Sequence, residues 1–126
     1  MINKTNINHG LFSLAIQLAL APVAWLAVQD VQAALMLSGT AAVAAFVGRE
    51  YGQVERKAMN RMNRILTNKH GEGNFEPMTL TKMMPWHVFA PDLWTLDHYM
   101  DVVLTVVATT AALYAVPALL KMGGFL

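Results

Sequence analysis

Residues 11–28, LFSLAIQLALAPVAWLAV, run for 18 positions without a charged side chain. Two further runs share that property: the 16 residues from Ala33 to Gly48 and the 19 from Val102 to Leu120. At about 1.5 Å of rise per helical residue they are roughly 24 to 29 Å long, so a few flanking residues bring each to the roughly 30 Å of a bilayer's hydrocarbon. The runs predict an all-α integral membrane protein, a single membrane domain over residues 1–126 with three transmembrane helices near 11–28, 33–50 and 101–120. The second run is the shortest and is rich in Ala, which keeps a buried helix of a soluble bundle as its alternative. All three runs together strain that alternative.

Composition points the same way. Of 126 residues, 56% are hydrophobic and 13% charged, against roughly 25% charged in an ordinary soluble domain. Nine basic and eight acidic side chains are too few to cover a small domain's surface in water. The net charge of +1 carries no basic field, so no nucleic-acid partner is expected. The absence of cysteine excludes a disulfide framework, thiol catalysis and a Cys-rich zinc site.

Val31-Gln32-Ala33 resembles a signal-peptidase site after an apolar stretch. The first run, however, exceeds the roughly 7 to 15 apolar residues of a typical signal, and only Lys4 and the amino terminus are positive before it. Uncleaved, the chain makes a tight polar turn at 29–32. That turn has no Lys or Arg, whereas residues 49–101 hold seven (Arg49, Arg56, Lys57, Arg61, Arg64, Lys69, Lys82). By the positive-inside rule this segment is cytoplasmic, the amino terminus lies inside and the carboxyl terminus outside a bacterial inner membrane. Trp25, Tyr51, Trp86, Trp94 and Tyr99 fall near span ends, as an interfacial belt requires.

Beyond Gly48 the second helix is expected to continue as a cytoplasmic amphipathic extension within 51–100. Ala58, Met62, Ile65 and Leu66 recur at helical spacing, and five cations (Arg56, Lys57, Arg61, Arg64, Lys69) lie among them with no acid. Such a stretch is attracted to anionic lipid by about 1 kcal/mol per cation near the surface; a solvated helix that merely sets topology is the alternative. The breaker cluster at 68–74 should end it. Residues 75–91 are apolar without a clean period and read as a re-entrant or surface-lying segment packed on the helices. Thr95 can cap the third span, with Asp97 and Asp101 in its first turns suiting the positive end of the helix dipole.

The densest polar cluster is Arg49, Glu50, Gln53 and Glu55, where the second span meets the interface. Gly39, Ala41, Ala45, Gly48 and Gly52 give the same helix small residues suited to close packing, and hence to a homo-oligomer. Glu50 and Glu55 suit a general base or metal ligands at a lipid headgroup, or structural ion pairs with Arg49 and Arg56. Asp92, Asp97, His98 and Asp101 have oxygen and imidazole ligands at helical spacing, but helix-start acids and an interfacial histidine account for them without a metal. His70 and Glu72 are a weaker pair, and His9 and His87 stand alone. Gln17, Thr105, Thr109 and Thr110 are polar at lipid depth and suit interhelical hydrogen bonds. No Walker loop, dinucleotide fingerprint, H-E-x-x-H or nucleophile elbow occurs, so no catalytic residue, metal or cofactor is assigned.

Gly-Arg-Glu-x-x-Gln-Val-Glu at 48–55, followed by Pro85-Trp86, Phe89, Asp92-Leu93-Trp94-Thr95 and Asp101, resembles a group of small phage and prophage integral membrane proteins, some labelled holin-like. The similarity spans roughly residues 9–118, departing after Glu55, where Arg56-Lys57-Ala58 replaces a more aromatic stretch. It implies a phage-type inner-membrane protein that permeabilises the membrane for lysis, and brings no catalytic residue with it. The apolar end Met122–Leu126 is a departure from holins with a charged tail. A lipid-modifying membrane enzyme using Glu50 and Glu55, and a virion-associated or host-modifying adaptor, are the competing classes.

Overall fold

The computed structural model describes residues 2–126, apart from the Pro85 side chain. Among them there is no strand. Helix α1 is Lys4–Val28, α2 Val31–His70, α3 the single turn Pro85–Val88, and α4 Leu96–Met122, with 3-10 turns at Leu80–Lys82 and Pro91–Leu93. Helices α1, α2 and α4 are each long and apolar enough to cross a membrane.

Local chemistry sets the helix ends. Asn3 and Asn6 form a reciprocal cap, each side-chain oxygen accepting the other's backbone N–H at 2.9 Å. Helix α1 closes on Gln29 in the left-handed region (φ 55°), and Asp30 caps α2 by accepting the Ala33 N–H at 2.6 Å. Helix α2 stops at His70, where Gly71 takes φ 82° inside the breaker cluster. Helix α4 ends in a Schellman arrangement, with Gly124 at φ 78° and the Phe125 N–H donating to the Leu120 carbonyl at 2.9 Å.

The chain forms two compact units, one of residues 1–47 and 96–126 and the other of residues 48–95. In the first, α1 packs along α4. The buried residues of α1 are Asn6, Gly10, Ser13 and Gln17, and those of α4 are His98, Asp101, Thr105, Thr109 and Ala112. Meanwhile Leu11, Phe12, Val23, Leu26, Val107 and Leu119 are exposed. Burying a Leu or Val is worth about 1.5 to 3 kcal/mol in water, and α1 buries neither. Apolar burial on α1 is thus confined to half-buried side chains such as Leu14 and Ile16; the pattern suits hydrocarbon, where polar groups are driven to one another and small residues let backbones approach.

The second unit has the opposite polarity. Val54 and Ala58 of α2 form a hydrophobic core with Met83, Val88 and Leu93, flanked by Tyr51, Met62, Met78 and Trp94. The irregular segment after α2 thus folds back over the apolar face of that helix. Asn63 fixes the return, its amide donating to the Met78 carbonyl at 3.1 Å and accepting the Met78 N–H at 2.6 Å. Trp94 Nε1 donates to the Val88 carbonyl at 2.9 Å. Glu76 and Lys82 pair across the loop.

Candidate functional site

The polar residues buried in the first unit form a continuous seam. At the start of α1 and α4, Asn6 Nδ2 donates to Asp101 Oδ1 at 2.6 Å and to Asp97 Oδ1 at 3.2 Å, and Asn3 Nδ2 donates to Asp97 Oδ1 at 2.8 Å. His9 Nδ1 lies 2.8 Å from Asp101 Oδ2 without meeting hydrogen-bond geometry to any described partner. The His9 ring also rests against Phe46 of α2, centroids 5.7 Å apart.

Further in, the hydroxyls bond along their own helices: Ser13 to the Gly10 carbonyl at 2.7 Å, Thr105 to Asp101 at 2.8 Å, Thr109 to Thr105 at 2.9 Å and Ser38 to Ala34 at 2.8 Å. Each bond hides a hydroxyl without drawing on another helix. At Gly10 the backbones of α1 and α4 lie close, since a Cβ there would lie 3.3 Å from the Leu104 carbonyl oxygen.

Gln17 joins all three helices. Its Nε2 donates to the Leu35 carbonyl of α2 and to the Thr109 carbonyl of α4, both at 3.0 Å. Gly39 makes room for it, because a Cβ at 39 would sit 2.7 Å from that nitrogen. Gln17 Oε1 is buried, and no donor among the described residues reaches it. A cleft of about 260 Å³ lies alongside, lined by Gln17, Gly39, Thr40, Thr109 and Thr110 with apolar neighbours. From Asn6 to Gln17 the seam extends roughly 16 Å at helical rise, about half the hydrocarbon thickness.

Of the residues singled out from sequence, Gln17, Thr105 and Thr109 lie in this seam and Thr110 is exposed. Asp97, His98 and Asp101 are at its head, whereas Asp92 belongs to the second unit and pairs with Arg61 at 2.6 Å. Among the described residues no three His, Cys, Asp or Glu side chains are grouped to hold a metal ion. Glu50 is buried with Arg49 Nη1 2.6 Å away, and Gln53 and Glu55 are half-buried. Of the small residues, Gly39 packs as described, Ala41 and Ala45 are exposed, and a Cβ at Gly48 or Gly52 would meet nothing within 4 Å among the described residues.

His9, Asn3, Asn6, Gly10 and Ser13 were not singled out from sequence as site residues. The available signal was their spacing, since 6, 10, 13 and 17 fall on one helix face. In the second unit, Lys57, Arg61 and Arg64 share a cavity, while Arg56 and Lys69 do not line it. No protein-family model matches the chain, and no curated protein or solved structure matches it.

Proposed function

We propose that the protein is a small phage- or prophage-type protein of the bacterial inner membrane, whose copies associate in the bilayer and permeabilise it in the manner of a holin. The observation that carries this reading is the polar seam, with Asn6, Ser13, Gln17, Thr105 and Thr109 all buried inside a bundle whose exterior is apolar. In one chain the seam is closed and lipid meets an apolar surface. When several copies turn their seams toward a common centre, the same amides and hydroxyls line a wet path while the exterior stays in hydrocarbon. Small exposed positions on α2, Ala41 and Ala45, suit close contact between copies. The seven cations of 49–101 support, by the positive-inside rule, a cytoplasmic position for that segment and the amino terminus, with the carboxyl terminus outside.

The test is induced expression in bacteria with a potential-sensitive dye. Abrupt collapse of the membrane potential at a reproducible time is expected; no collapse at any expression level overturns the proposal. The burial of Glu50 beside Arg49 favours a second reading, a lipid-modifying enzyme using Glu50 and Glu55. That reading requires a lipid change which Glu50→Gln abolishes, whereas a holin keeps its timing in the same variant.

A further inference from the structure

The five cations of 56–69 do not form one diffuse patch. Lys57, Asn60, Arg61 and Arg64 are spaced i, i+3, i+4 and i+7, so they share one face of α2. With Asp92 and Leu93 they line a cavity of about 580 Å³. Asp92 Oδ2 holds Arg61 Nη1 at 2.6 Å, leaving the other donors of a five-donor guanidinium for a second acceptor. Arg61 and Arg64 thus bring two guanidiniums to a cavity whose lining holds one carboxylate. The apolar face of α2 here is occupied, since Val54 and Ala58 pack under Met83, Val88 and Leu93. Charge, not insertion of that face, is thus the helix's means of recognising an anion.

We infer that this cavity is a binding site for a phosphate-ester anion, with Arg61 and Arg64 as the hydrogen-bonding forks and Asp92 as the group that orients Arg61. Guanidinium forks match phosphate oxygens in geometry, and the volume admits a glycerophosphate headgroup as well as free phosphate. The inference rests on the membrane placement of the chain and not on permeabilisation. A chain that binds phosphate without collapsing the potential therefore overturns the proposed function alone.

The experiment uses the full chain in neutral detergent and native mass spectrometry with phosphatidylglycerol, phosphatidylcholine or inorganic phosphate as probe. Phosphatidylglycerol is expected to be retained in preference to phosphatidylcholine. Arg61→Gln/Arg64→Gln should weaken retention by about tenfold or more, as loss of charged hydrogen bonds does, and Arg56→Gln/Lys69→Gln by less than about threefold. Single Arg64→Gln against single Arg56→Gln repeats the comparison without touching the Arg61–Asp92 pair, and circular dichroism checks that each variant is folded. Competition by inorganic phosphate assigns the site to soluble phosphate esters as well as lipid; no competition assigns it to the headgroup. Equal weakening by the two double variants overturns the site, because it is the signature of diffuse charge, and so does failure of the wild-type chain to retain either anion.

Discussion

Gln17 has two hydrogen bonds that hold three helices and one buried oxygen that none of the described residues satisfies. Interhelical hydrogen bonds in membranes average about 0.6 kcal/mol, and an isosteric apolar replacement also removes the cost of the unsatisfied oxygen. Gln17→Leu is therefore expected to change the chain's stability in detergent by less than about 1 kcal/mol while delaying or abolishing potential collapse. A large loss of stability would make Gln17 a structural staple instead. At the surface of the second unit, the Lys82 hydrogen bond and charge hold the Glu76 carboxyl below its ordinary value of 4.5. The sign follows: the pair contributes stability above that value and loses it as pH falls through the lowered one. Lys82→Met should return the Glu76 titration, followed by NMR, to the ordinary carboxylate range.

At the scale of elements, the contrast between two glycines is testable. Gly10→Val pushes against the Leu104 carbonyl, and overpacking of this kind costs about 1 to 3 kcal/mol, read as a lower unfolding midpoint in detergent. A Cβ at Gly48 meets nothing within 4 Å among the described residues, so Gly48→Val should leave that midpoint unchanged and act on the timing of collapse through contacts between copies. In the second unit, Asn63→Ala removes both bonds to Met78 and should cost about 1 to 3 kcal/mol, seen as faster hydrogen exchange at the Met78 amide. The three spans, a turn after Val28 and the end of α2 were legible from the chain, because absent charge and clustered breakers are local signals; the turn, expected over 29–32, is shorter, since α2 already begins at Val31. Gln17 and the buried threonines were legible as polar groups at lipid depth. The pairing of Asn3, Asn6 and His9 with Asp97 and Asp101 was not, since it depends on the register of α1 against a helix more than 90 residues away. The cover over Val54 and Ala58 was legible only as an apolar segment packed on the helices; which of its side chains do the packing was not, because the segment has no period to read.

For the whole molecule, one physical asymmetry organises the account. Residues 1–47 and 96–126 bury polar side chains alongside Leu35, Phe46 and small residues and expose most of their large apolar ones, whereas residues 48–95 bury a hydrophobic core with Glu50 and expose most of the charge. The first pattern suits hydrocarbon and the second suits water. The central claim is that the polar seam, dry in the single chain, becomes wet when the membrane is permeabilised. The natural absence of cysteine makes it directly measurable. A Ser13→Cys variant is labelled in cells with a membrane-impermeant thiol reagent before and after the potential collapses, with Val107→Cys on the exposed apolar face as the comparison. The account predicts no labelling at either position beforehand, and labelling at position 13 alone afterwards. A thiol at 13 that stays unlabelled through a complete collapse, or one at 107 that labels instead, would contradict it.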